Sequence, residues 1–313
     1  MKTVFRANMY FLFIMILSIV GPYFLTPLYI ALGINDIRLV LLFTHLILFL
    51  LPAIIYLIVT KSSFKDTLRL NKLNWKDLIL IILLGFVVQP VMTFFSLISS
   101  FFFNNDIGTF INEIMSTPYI LLLGLIAVLP SITEEVTVRG IVLSGYENKN
   151  KYVAAAITGL FFGMFHLDAQ QFLYTAALGF IFALVVRITN SIYSSMILHF
   201  IVNGSSITLA KVSQLITESL PISAESTEVS LQTISVQEKI VLLIVYGFIA
   251  VIFSVLVFLI IYALEKNSKK RKLLSENILI EEENDKEKDK EKVINIPFVL
   301  IIIVYLIVMI ITH

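Results

Sequence analysis

The chain has no cysteine. That excludes disulfides, thiolate metal sites and a cysteine nucleophile. Charge is also scarce: 14% of residues are Asp, Glu, Lys or Arg, against about 25% in soluble domains. The formal net charge is only +1, and no segment joins a basic surface to a soluble fold, so nucleic acid is not expected as a partner. No repeat recurs at a fixed period, and the two halves carry no matched broken helices of the kind that mark transporters. Any chemistry must therefore come from Glu, Asp, His, Ser or Thr.

What the chain has in quantity is apolar sequence: 58% hydrophobic residues and a mean hydropathy of +0.94. This is the composition of a polytopic membrane protein whose main solvent is the lipid bilayer. Crossing the hydrocarbon takes about 20 helical residues. Runs of sufficient length lie near 8–32, 39–60, 78–103, 118–146 and 239–264. Three shorter runs, near 152–167, 170–187 and 191–211, are separated by Asp168 and by Arg187 to Asn190, and a last run spans 296–312. The expected fold is an all-α transmembrane bundle of about nine spans, or eight if one of the short central runs is re-entrant. The basic start MKTVFR resembles a signal peptide, but the apolar run behind it is too long for one and reads as an uncleaved first span.

Short cytoplasmic loops collect Lys and Arg. The 61–77 loop carries Lys61, Lys65, Arg69, Lys72 and Lys76, whereas 104–117 and 212–238 carry no Lys or Arg and 265–295 carries nine. Nine spans with a cytoplasmic N-terminus satisfy every loop with a clear bias. The 61–77 loop reads as an interfacial segment or an ordinary basic connector, and the mixed-charge run from Glu265 to Lys292 as a disordered or loosely helical linker. With no organelle signal, a bacterial plasma membrane is the expected location. The layout suggests N-terminal transmembrane helices over 1–117, a helical core over 118–211, and over 212–313 an acidic extracellular loop, a span, a charged linker and a last span.

Against this apolar background Ser131–Gly140, SITEEVTVRG, stands out, because it places Glu134, Glu135 and Arg139 inside a membrane-spanning run. Centring one ionised side chain in a bilayer costs at least ~2.5–3.5 kcal/mol, so such groups face a bundle interior or a wet cavity and mark function by default. Glu135 and Arg139 are four apart with the acid first, the favourable order for a helical pair. Glu134 lies on a different azimuth and is left for the cavity. Downstream come His166 in LFFGMFHLD and His199 with Asn203 in MILHFIVNG. Counting ~1.5 Å per residue from the cytoplasmic end of each span, Glu134 and His166 lie about 20 Å in, Asn203 about 18 Å and His199 about 12 Å. A carboxylate and an imidazole at midplane can take a proton from water, and an imidazole with a carboxamide can donate to an oxyanion. Two His and one Glu would equally suit an open zinc site, although the HExxH spacing is missing.

In this order Glu134, Glu135 and Arg139 match EExxxR, Phe162 and His166 match FxxxH, and His199 and Asn203 match HxxxN. The stretch 118–211 resembles the CAAX-protease and bacteriocin-processing (CPBP, or Abi) family of intramembrane proteases. The resemblance implies an all-helical core around a water-filled cavity open toward the cytoplasm. In it, Glu134 and His166 would activate water, His199 and Asn203 would stabilise the oxyanion, and Glu135 with Arg139 would hold the site together. Older descriptions of the family assume a metal, here Glu134, His166 and His199 around zinc, and later ones a glutamate mechanism that requires no cofactor. The expected substrate is a membrane-anchored protein or peptide cut near the cytoplasmic face. The alternatives are a non-proteolytic immunity or scaffold protein of the same fold, and a transporter. Among the remaining polar groups His45 reads as structural, Arg187 as a snorkelling anchor, Asp168 as a rim residue that pairs or caps, and Ser205 with Ser206 as no nucleophile for want of a partner base.

Overall fold

The computed structural model describes residues 3–219, 231, 234–276 and 291–312. Every regular element among them is a helix. Seven are long and apolar enough to cross a membrane, and two shorter apolar helices join them. The bundle contains α1 (Thr3–Ala31), α2 (Ile37–Val59), α3 (Trp75–Ser100), the short α4 (Asp106–Ile114), α5 (Tyr119–Val142), α6 (Lys151–Phe165), α7 (Ala169–Thr189), α8 (Tyr193–Ser219), α9 (Val236–Glu276) and α10 (Ile296–Thr312). Among the described residues it is a polytopic helical bundle of nine apolar helices, with α4 and a single helical turn at Phe64–Thr67 beside them. The linker expected over 265–292 is in part a continuation of α9 as far as Glu276. Residues 277–290 of it, like 220–230 and 232–233 of the acidic segment, lie outside the described residues.

Polar contacts tie the loops at one end of the bundle together. Arg69 pairs with Glu147 at 2.5 Å, Arg271 with Asp77 at 2.6 Å and Lys151 with Glu265. Tyr146 donates to Asn8, which itself donates to Asn295. This is the end of the basic loops. At the other end Tyr119 meets Thr208 at 2.7 Å, and Gln170 donates to Ser96 and Ser100 at 3.0 and 3.1 Å. Asp36 accepts from Arg38 there, and that hydrogen bonding holds its carboxyl down to about 2.

Two loop readings change. The 61–77 segment does not float at the interface: Leu68 and Arg69 are buried, and Arg69 donates to the Arg139 carbonyl at 3.2 Å while its own carbonyl accepts from Ile192. The segment plugs the bundle beneath α5. Arg187 does not snorkel to lipid. Its guanidinium donates to the carbonyls of Tyr146, Glu147 and Lys149, satisfying the backbone of a turn that no helix closes.

Helices α6 and α7 form the tightest crossing. A Cβ on Gly159 would sit 2.6 Å from Phe180 N and 2.9 Å from Ala176 O, and one on Gly179 would sit 2.8 Å from Gly159 Cα. Small residues at a membrane crossing let backbones approach this closely. Asp168 starts α7 by accepting from Gln171 N at 3.0 Å, the capping role open to it at that rim.

Candidate functional site

Helix α5 is not a regular α-helix. It opens into π-helical turns at Leu123–Val128 and again at Val136–Val142, so that Leu129–Glu135 is an α-helical piece between two wide turns. Wide turns of this kind occur often at functional sites. Pro130 explains part of the first: it has no N–H to return to Ile126. The Ile126 carbonyl instead accepts from Asn203 Nδ2 at 3.0 Å. One proline thus sets the position of a side chain on α8.

The two adjacent carboxylates have separate surroundings. Glu135 is fully buried, and one of its oxygens, Oε1, accepts from Arg139 Nη1 and from His199 Nδ1, both at 3.0 Å. Arg139, also fully buried, lies 4.0 Å above the Phe162 ring and 5.1 Å from that of Phe182, and donates to the Gly179 carbonyl at 3.3 Å. Glu134 is 8% exposed, and its Oε2 has no hydrogen-bond partner. The nearest cation-forming atom it pairs with is His199 Nε2, at 4.0 Å.

Hydrogen bonding fixes which ring nitrogens carry protons. His166 Nδ1 is 2.8 Å from the Phe162 carbonyl, which can only accept, so in the neutral ring Nε2 holds the lone pair. His199 Nδ1 faces the Glu135 carboxylate, which leaves its Nε2 to accept from Asn203 Nδ2 at 3.3 Å. A third imidazole joins them. His45 Nδ1 lies 3.0 Å from Thr133 Oγ1, and that hydroxyl donates its only proton to the Leu129 carbonyl, so His45 is the donor and its Nε2 is also unprotonated when the ring is neutral.

His45, Glu134, Phe162, His166, His199 and Asn203 all line one cavity of about 640 Å³, within the ~300–1,000 Å³ usual for ligand sites. The structure therefore brings Glu134, His166, His199 and Asn203 to a common space and keeps Glu135 and Arg139 behind its wall. It adds His45, which stands alone in a span and whose sequence surroundings give no signal beyond intramembrane polarity. Ser206 lines the cavity too, but its hydroxyl is spent on the Val202 carbonyl.

A metal held by this chain would need three donors converging on one point. Among the described residues no group of three His, Asp or Glu side chains is placed to hold an ion, and the lone pair of His199 Nε2 already accepts from Asn203. The donor set as folded does not fit the zinc alternative.

The cavity is one-sided. Its lining runs from Glu134 to Asn105, Ile107 and Asn112, all three exposed, at the end opposite the basic loops. Toward the basic end the path is closed by Glu135, Val138 and Arg139, each with no exposed surface, and by the 61–77 plug. A cytoplasmic mouth and cytoplasmic basic loops, both expected from sequence, cannot hold together.

Residues 116–205 match a family model described as type II CAAX prenyl endopeptidase Rce1-like. The match falls on the stretch that carries the three motifs, and the model it matches is of the same kind as the family the motifs resemble. The matched stretch contains all seven motif residues, on α5, at the end of α6 and on α8, and leaves His45 outside. No curated protein and no solved structure matches the chain. The match supports an intramembrane endopeptidase of the CAAX-protease type in general.

Proposed function

We propose that the chain hydrolyses a peptide bond of a membrane-associated protein or peptide with a water activated by Glu134 and His166. The observation that carries this reading is the position of Glu134: it lines the cavity, 4.0 Å from His199 Nε2, with an oxygen that has no hydrogen-bond partner, whereas Glu135 lies behind the wall, ion-paired through Oε1 to Arg139 and His199. A buried polar atom without a partner costs about 1–3 kcal/mol, more if charged; Glu135 Oε2 bears that cost too, and what sets Glu134 apart is that its carboxylate lines the cavity. In the reaction Glu134 takes a proton from water as the oxygen attacks the carbonyl carbon, and returns it to the leaving amine. His166, with Nε2 as its lone-pair nitrogen, holds the water by its other hydrogen.

His199 and Asn203 serve the oxyanion. In the neutral state Asn203 gives one amide hydrogen to Ile126 O and the other to His199 Nε2. When His199 takes up a proton from bulk water before the substrate enters, with Glu135 stabilising the cation at Nδ1, Nε2 no longer accepts. Its N–H and the released Asn203 hydrogen then become two donors into the same space. The mechanism requires no metal.

The test compares membranes holding wild-type protein with membranes holding Glu134→Gln. The amide is nearly isosteric but cannot take the proton, so new peptide termini present with the wild type should vanish while folded yield is unchanged. Wild-type activity should survive exhaustive chelation. Retained cleavage by Glu134→Gln would sink the assignment of the base. Activity lost with bound zinc and recovered on adding it back would replace the metal-free mechanism.

A further inference from the structure

Three imidazoles line the cavity, and the mechanism above uses two of them. His199 Nε2 meets Asn203, and His166 Nε2 holds the attacking water. The third, His45, makes its hydrogen bond through Nδ1, 3.0 Å from Thr133 Oγ1, and its Nε2 has no hydrogen-bond partner among the described residues. Thr133 Oγ1 gives its own proton to the Leu129 carbonyl at 2.9 Å, so the ring donates at Nδ1 and, when neutral, keeps its lone pair at Nε2. One tautomer is thereby fixed, and it places an acceptor without a donor on the cavity wall.

Two helices set the place of this acceptor relative to Glu134. Thr133 immediately precedes Glu134 on α5 and is itself buried, so its tie to the ring holds His45 of α2 on the Thr133 side of the carboxylate. His166 and His199 both stand edge-on to Phe162, at 4.9 and 5.9 Å, whereas His45 stands edge-on to Phe49 at 5.2 Å. The ionisable groups close enough to His45 to act on it electrostatically are Glu134, His166 and His199. A tie between α2 and α5 needs only the Nδ1–H, which leaves the second nitrogen free beside the reacting groups.

The reaction supplies a matching donor. When water adds to the peptide carbonyl, the nitrogen loses its conjugation and becomes pyramidal, with one N–H and one lone pair. That lone pair takes the proton Glu134 removed from water, the C–N bond breaks with its electron pair going to nitrogen, and the oxyanion collapses to the carbonyl of the new acid. The N–H present from the start points away from Glu134 and, out of water, needs an acceptor of its own. Resting on the endopeptidase reading above, we infer that His45 Nε2 is that acceptor: His45 is a further catalytic residue, holding the leaving nitrogen by its N–H so that the lone pair is turned toward Glu134. No proton passes to His45. The hydrogen bond strengthens as the nitrogen gains positive charge, so it acts on kcat more than on KM.

The test uses the intact chain in lipid and two probes built on a sequence whose cleavage depends on Glu134: the peptide itself, and the depsipeptide in which an ester oxygen replaces the scissile N–H. The ester has no hydrogen to donate at that position. In His45→Leu the peptide-to-ester ratio of kcat should therefore fall about 10- to 100-fold, the worth of a hydrogen bond to a charged group, with KM for the peptide nearly unchanged. His45→Gln, whose amide can donate to Thr133 and accept at its oxygen, should restore most of the ratio. Should His45→Leu fail to fold, Thr133→Val gives the same reading: with no acceptor for Nδ1–H the ring takes either tautomer, and a smaller loss confined to the peptide is expected. An equal loss on both probes would make His45 a structural tie, and no loss on either would make it idle; each overturns the inference and leaves the endopeptidase reading in place. If no sequence is cut in a Glu134-dependent manner, the endopeptidase reading falls and this inference falls with it.

Discussion

Glu134 and Glu135 are neighbours in sequence with opposite environments, and the contrast follows from helical azimuth. Glu135 faces Arg139 one turn on and is tied to His199 by the same oxygen, whereas Glu134 faces the cavity. Arg139→Ala leaves a buried carboxylate without its cation, a change that costs about 3–5 kcal/mol. Folded yield in detergent should fall accordingly. The double variant Glu135→Leu/Arg139→Met removes both charges and should recover much of that yield, since an apolar replacement of a buried pair is often neutral, yet stay inactive because His199 has lost the carboxylate that orients it. Activity in the double variant would show the pair to be structural only. On the proposed mechanism Asn203→Ala removes one oxyanion donor, which is worth about 2.7–4 kcal/mol of barrier or a ~100- to 1000-fold rate loss. The charge it serves exists only in the transition state, so kcat should fall with KM nearly unchanged, and a change confined to KM would place Asn203 in substrate binding instead.

At the scale of elements the site depends on two departures from regular helix packing. Helix α5 widens on both sides of Leu129–Glu135, and Pro130 frees the carbonyl that seats Asn203. Helices α6 and α7 close to backbone contact at Gly159 and Gly179, which puts the Gly179 carbonyl within reach of Arg139. Gly159→Ala would press a methyl group against backbone atoms that cannot step aside, at a cost of about 1–3 kcal/mol. Gly124→Ala is the matched control, because a Cβ there meets nothing within 4 Å. Thermal unfolding in detergent should show the first variant destabilised and the second unchanged; equal effects would mean the crossing is not under steric constraint.

For the whole molecule, the decisive asymmetry runs along the membrane normal. One end is polar, cross-linked and closed, with loop cations paired to Glu147, Asp77 and Glu265. The other holds the cavity mouth beneath α4, whose Ile114 packs with Met115, Leu122 and Ile207 in a small core of its own. A rigid closed end and a separately packed cover at the open end are what a site that excludes bulk water yet admits a chain requires. Helices α9 and α10, which carry no motif, bury few residues and expose long aliphatic faces, as lipid-facing spans do.

The sequence by itself determined that the chain is a helical membrane protein and where the nine apolar helices of the described residues lie, to within a few residues except at the far ends of α8 and α9, which run on to Ser219 and Glu276, and it singled out polar groups within 134–203 that the fold gathers at one cavity and its wall. Length and hydropathy fix the first two, because hydrocarbon permits few alternatives to a helix, and the price of an intramembrane charge singles out the third. Only the tertiary structure decided that His45, nearly ninety residues before Glu134 in the chain, hydrogen-bonds the residue beside it, that Glu135 binds His199 as well as Arg139, that 61–77 is a plug, and which end of the bundle is open. Those are contacts between residues far apart in the chain, and no periodicity or local spacing encodes which helix faces meet. They are set when close crossings such as Gly159 with Gly179 and carbonyl ties such as Asn203 to Ile126 lock the helices in one rotation.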